Sequence, residues 1–123
     1  MRGQKLFVRP IENGDADSIR VFLKSHGGRV TAPACGLVGK LVGDLVAVVA
    51  MELEGDAVRI EDVVVATDLR RKRIGRFMLD EAARLASKLD RHQLLVPSSA
   101  AEREFFHRTG FQEEGEWLVR TVV

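Results

Sequence analysis

Residues 57–89 read AVRIEDVVVATDLRRKRIGRFMLDEAARLASKL, and the fold of the whole chain turns on this stretch. Its first part, residues 57–66, is β-branched around Val63, Val64 and Val65 and predicts a strand. The period then changes. Ile74, Phe77, Met78, Ala82, Leu85, Ala86 and Leu89 fall on one side, and Arg76, Asp80, Arg84, Ser87 and Lys88 on the other, which predicts an amphipathic helix. Between strand and helix, Arg70, Arg71, Lys72, Arg73 and Arg76 put five basic side chains into seven positions. A helix N-terminus has unfilled N–H groups and a positive dipole end, so this segment can hold an anion, most naturally phosphate. A solvated loop that keeps a turn soluble would need the same charges.

Working outward, residues 5–11 predict a first strand. Asn13 or Asp15 can cap a helix that carries Ile19, Phe22 and Leu23 inward and stops at Gly27-Gly28. Two apolar runs, 37–42 and 45–53, flank Gly43-Asp44, and Gly55-Asp56 leads into the strand at 57–66, so three antiparallel strands follow in series. After the long helix, residues 93–96 predict a short strand parallel to the one before that helix. Ser99 and Glu102 have capping-box spacing for a helix through Arg108, closed by Gly110. Residues 111–116 and 117–123 predict a terminal hairpin around Gly115. The expected fold is α+β, with order β-α-β-β-β-α-β-α-β-β on a mixed, mostly antiparallel sheet, in one domain over residues 1–123.

Composition narrows the function classes. The chain has 123 residues, 46% hydrophobic and 30% charged, which is globular and leaves room for one core. Nineteen Lys and Arg against 18 Asp and Glu give a net charge of +1, and with one Trp and no Tyr this argues against a nucleic-acid partner. The longest apolar run, 45–51, is far short of the ~20 residues that span a bilayer, so a cytoplasmic protein without a membrane partner is expected. The single Cys35 and the spaced His26, His92 and His107 offer no metal cluster. Cys35 reads as a small buried hydrophobe rather than a nucleophile.

At this point the residues resemble a family. Val65, Arg70, Arg73 and Gly75 have the spacing of the acetyl-CoA signature of GNAT N-acetyltransferases, with Arg73 where that signature carries its first glycine. Phe105-Phe106-His107-Arg108-Thr109-Gly110-Phe111 is similar to the family's later motif, with Phe106 where many members have tyrosine. The order of elements also agrees, so the resemblance covers almost the whole chain. It implies a splayed GNAT-like sheet that takes acetyl-CoA as co-substrate, with its pantetheine arm between the fourth and fifth strands. It further implies that Val63 offers its N–H to the thioester oxygen and that Val65 pairs with pantetheine. Arg70, Arg71, Lys72, Arg73, Ile74, Gly75 and Arg76 would hold the pyrophosphate. Ser99, whose alternative role is helix N-cap, and Phe106 would also touch the cofactor.

Acyl transfer to an amine needs the amine neutral, and an alkylamine like that of Lys has a pKa near ~10.4, so a carboxylate base is required. Glu61 and Asp62 stand just before the cofactor segment, in a strand similar to that of diamine acetyltransferases. Simple alternation puts Glu61 on the face of Val63 and Val65 and Asp62 on the other, unless a bulge intervenes. Glu61 acting through water is the expected base; pairing of either carboxylate with Arg59 is the alternative. The short 28–34 connection implies an open acceptor side, for a small amine or a protein. His107 is expected on a solvated face, and Trp117 in the core or at a homodimer contact. Phenylalanine cannot protonate a leaving thiolate, so a second reading stands beside the N-acetyltransferase: a non-catalytic acetyl-CoA-binding module that docks a partner protein.

Overall fold

A computed structural model describes residues 5–28, 31–70, 73–100 and 102–122. The elements are β1 (Leu6–Pro10), a 3-10 turn (Asn13–Asp15), α1 (Ala16–His26), β2 (Gly36–Leu41), β3 (Asp44–Glu54) and β4 (Ala57–Val65). A second 3-10 turn (Thr67–Leu69), α2 (Ile74–Lys88), β5 (Gln93–Pro97), α3 (Arg103–Arg108), β6 (Gln112–Glu114) and β7 (Trp117–Thr121) complete them. Strands and α-helices follow the expected order. They build one sheet, β1-β2-β3-β4-β5-β7-β6, in which only the β4–β5 pair is parallel. No helix among the described residues is long and apolar enough to cross a membrane.

Turn chemistry sets the hairpins. Leu41 pairs with Asp44, so the β2–β3 turn is Val42-Gly43, one residue earlier than Gly43-Asp44. Both turn residues have positive φ, 50° and 84°, the combination a right-twisted two-residue hairpin demands. A β-branched residue is disfavoured there, which is why the sequence points one residue on. Gly55, at φ 58°, opens the β3–β4 turn as expected.

Helices cover both faces of the sheet. Val64 lies beneath Leu23 at the end of α1, where a Cβ on Gly28 would collide with both, while Val65 and Gly39 face Gly75 and Met78 of α2. The core between these layers holds Ile19, Leu23, Val48, Val49, Met78, Leu79, Leu94, Phe111 and Leu118. In α2 the buried set is Ile74, Met78, Leu79, Ala82 and Ala86. Phe77 and Leu89, predicted on that stripe, are instead exposed at its margins. The last helix also differs from expectation. It begins at Arg103 with Glu102 as N-cap and no side-chain cap, and Ser99 sits in an exposed turn after β5. Its other end is as predicted: Gly110 takes φ 100°, and the Phe111 N–H returns to the Phe106 carbonyl at 3.0 Å.

Two irregularities shape a cleft in the sheet. β4 pairs with β5 only through Ala57–Gln93, Val58–Leu94 and Arg59–Leu95. From Ile60 to Val65 β4 continues along β3 while β5 leaves it, and the sheet opens as a V. Within that free half, the register with β3 shifts so that Ala50 faces Asp62 and Met51 faces Ile60. Glu61 is the extra residue of a β-bulge, which bends the strand and changes its alternation.

Candidate active site

The V is a cleft of about 850 Å³, walled by β4 from Asp62 to Val65, by the start of α2, by α3 and by the end of α1. The β4 wall presents backbone. The Ala66 N–H bonds the Val46 carbonyl of β3 at 2.8 Å, so by alternation Val64 also points its peptide groups at β3, and Val63 and Val65 point theirs into the opening. The Val65 carbonyl accepts from Arg70 Nε at 3.2 Å, which agrees with that direction.

The N-terminus of α2 forms the charged end. The first intrahelical bond runs from the Phe77 N–H to the Arg73 carbonyl, and no side chain caps the helix, so the amides of Ile74, Gly75 and Arg76 have no intrahelical acceptor. Arg73, Ile74, Gly75 and Arg76 all line the cleft. Gly75 is there for closeness: a Cβ would stand 3.0 Å from Phe105 Cζ, so any side chain there would press on the Phe105 ring. Arg70, Arg73, Arg76 and Arg108 against Asp62 and Glu102 leave the cleft positive. Helix end, free amides and guanidinium groups together fit a polyphosphate.

Arg73 is the helix N-cap in the left-handed conformation, φ 63° and ψ 13°. A residue with a Cβ bears a cost of about 1–2 kcal/mol there that glycine escapes. Arg73→Gly is therefore expected to raise stability by about 1 kcal/mol, read as a higher urea midpoint, while removing a cation from the cleft. A lower midpoint would mean that the guanidinium contacts outweigh the backbone cost.

The predicted residues do not all converge. Asp62, Val63, Val65, Arg70, Arg73, Ile74, Gly75, Arg76 and Phe106 line one cleft. Arg71 and Lys72 lie outside the described residues. Ser99 is not on the cleft wall. Glu61 is not on it either. The bulge takes it off the face of Val63 and Val65 and brings it to Arg59, 3.4 Å away, in a group where Arg59 also meets Glu52 at 2.8 Å and Glu54 at 2.6 Å. That is the pairing with Arg59 named above as the alternative. Arg70 spends its guanidinium on the Val65 and His26 carbonyls. Phe106 is 5% exposed and packs edge-on against Phe105 and Phe111, each 5.3 Å away, so an apolar wall stands where a hydroxyl acid would be.

His26, Gly27, Leu69, Glu102, Phe105, Arg108 and Thr109 line the cleft without having been predicted there. Phe105, Arg108 and Thr109 fall within the second motif, so spacing could have found them. His26 and Gly27 lie some forty residues before the Thr67–Arg70 segment, and no local pattern connects them to it. Thr109 is buried, its hydroxyl beside the Phe105 and Phe106 carbonyls at 3.0 Å each.

Comparison with known proteins agrees with this fold. No curated protein sequence matches the chain. Among solved structures, the ribosomal-protein-S18-alanine N-acetyltransferase of Escherichia coli superposes with a TM-score of 0.78 at 13% identity, over 96% of this chain and 94% of that one. A GNAT family N-acetyltransferase of Escherichia coli in complex with CoA gives 0.80 at 15% identity, over 100% and 84%. N-acetylglutamate synthase of Neisseria gonorrhoeae, complexed with CoA and L-arginine, gives 0.77 at 18% identity; this chain spans 33% of it. At such identities the likeness establishes the fold. Residues 33–113 match the family described as acetyltransferase (GNAT) domain, and with two thirds of the sequence inside that match the chain belongs to the GNAT acetyltransferases, acyl transferases that use acetyl-CoA.

Proposed function

We propose that this protein transfers the acetyl group of acetyl-CoA to a primary amine of a small molecule or a protein, with Asp62 as the base. The observation that carries this reading is that the open edge of β4 and the uncapped N-terminus of α2 meet in one cleft. Acetyl-CoA supplies an activated thioester: a C–N bond forms to the amine, the C–S bond breaks, and the thiolate leaves. The protein's part is placement and proton handling. The amides of Ile74, Gly75 and Arg76, with Arg73, suit the pyrophosphate. The peptide groups of Val65 suit an amide-bearing arm, and the Val63 N–H suits the thioester oxygen. Asp62, the carboxylate of the Glu61-Asp62 pair that lines the cleft, takes the proton of the incoming amine.

The phenylalanine wall favours a slow enzyme. With no tyrosine anywhere in the chain, the leaving thiolate takes its proton from water rather than from a phenol, and turnover well below a typical ~10 per second is expected. The same wall is the one observation in favour of a binding-only module. Calorimetric titration with acetyl-CoA, with Gly75→Glu as the blocked control, and release of free thiol across polyamines, amino acids and Lys peptides test both. Heat in the wild type, none in Gly75→Glu, and thiol release with at least one amine are expected. No heat and no concentration-dependent rise in melting temperature at millimolar ligand would sink the cofactor assignment. Binding without transfer to any amine would leave the partner-docking module.

A further inference from the structure

We infer that His26 is a positioning residue for the cofactor: its imidazole and carbonyl hold the Thr67–Arg70 segment, which lines the cleft at Leu69 and Arg70, against the end of α1. The inference rests on the assignment of acetyl-CoA to this cleft.

Three contacts carry it. The Thr67 N–H donates to His26 Nδ1 at 3.1 Å, across 41 residues of sequence. Arg70 Nη2 donates to the His26 carbonyl at 2.8 Å. The Phe22 ring, one turn back on α1, lies 4.6 Å from the imidazole and braces it. One residue thus bonds both Thr67 and Arg70, at the start of the 3-10 turn that follows β4 and just after its end. The same Arg70 also reaches the Val65 carbonyl, which ties the end of α1 to the end of β4.

The segment needs such a post. Its 3-10 turn covers only Thr67–Leu69, closed by one bond from the Leu69 N–H to the Ala66 carbonyl at 2.9 Å. With one internal bond, so short a turn draws on contacts outside it for its placement, and the His26 bonds are two of them. At the other side, α1 ends at His26, with Gly27 in the left-handed conformation returning its N–H to Leu23, so the last carbonyls are available to outside donors. Accepting the Thr67 N–H requires the Nδ1 lone pair, which places the ring proton on Nε2. Asparagine can present its Oδ1 where histidine presents Nδ1. Alanine has no acceptor.

The test compares wild type, His26→Asn and His26→Ala. Their CoA affinity would be measured by calorimetry, with the Thr67 amide shift and the His26 ring-nitrogen shifts read by NMR. The wild-type ring should show an unprotonated Nδ1 and a protonated Nε2. His26→Ala should move the Thr67 amide and weaken CoA at least tenfold, and His26→Asn should stay within about threefold of wild type. Equal affinity in wild type and His26→Ala, or equal losses in the Asn and Ala variants, would overturn the inference and leave the cofactor assignment intact. A wild type that binds no CoA would overturn both.

Discussion

Gly36→Ala should cost about 4 kcal/mol or more and leave much of the chain unfolded at physiological temperature, because no relaxation is open to it. Gly36 opens β2 at φ 148°, opposite Ala50, and a Cβ there would overlap the carbonyl oxygen of Val49 in the neighbouring strand. The backbone on both sides is pinned. The Gly36 carbonyl accepts the Ile11 N–H at 3.0 Å, and the adjacent Cys35 carbonyl accepts the Met51 N–H at 3.0 Å. Gly43→Ala is the control. It also needs positive φ, 84°, but its Cβ would meet nothing within 4 Å, so only the conformational cost of about 1–2 kcal/mol is expected. Urea denaturation of the two variants measures the difference. Equal losses would show that the close approach of β2 and β3 at Gly36 is not a constraint.

Elements whose cause is local were legible in the sequence. The strand at Val63–Val65, the α2 helix and the helix-ending glycines Gly27 and Gly110 are each decided within a few residues and stand where the pattern puts them, with Phe77 and Leu89 at the exposed margins of the α2 stripe. The misplacements have a common origin in tertiary contact. Val42 takes a left-handed turn position that its own preferences oppose, since the hairpin twist fixes which pair must turn. Ser99 has the chemistry of an N-cap, yet the chain after β5 is held at Ser98, whose N–H reaches the Glu116 carbonyl at 2.8 Å, and the helix starts later.

The site divides the same way. The end proposed for the pyrophosphate was readable because a helix N-terminus, its basic residues and Gly75 are contiguous in sequence. What alternation could not provide was the orientation of Glu61 and Asp62. That depends on one inserted residue in the β3–β4 register, which is a property of the pair of strands. His26 was invisible for a stronger reason. Its partners, Thr67 and Arg70, lie 41 and 44 residues away, and a histidine at the end of a helix has no local signature of what it will accept.

The bulge also decides which carboxylate should matter for turnover. Asp62→Asn is expected to slow acetyl transfer at least about a hundredfold, the usual size of a general-base contribution, with acetyl-CoA affinity unchanged. Asp62 is partly buried on the cleft wall, one residue before Val63, whose N–H is proposed for the thioester, and on a different element from the α2 amides that would hold phosphate. Glu61→Gln should lose no more than a few-fold, because Glu61 sits with Arg59 outside the cleft. The pH profile separates a base from a merely structural carboxylate. An amine with a pKa near ~10.4 deprotonates by itself as pH rises, so the Asp62→Asn rate should recover toward wild type on the alkaline side, where the base is no longer needed. Parallel profiles for the two proteins would deny Asp62 the proton. A Glu61→Gln loss as deep as that of Asp62→Asn would return the assignment to Glu61, acting through water from beyond the cleft wall.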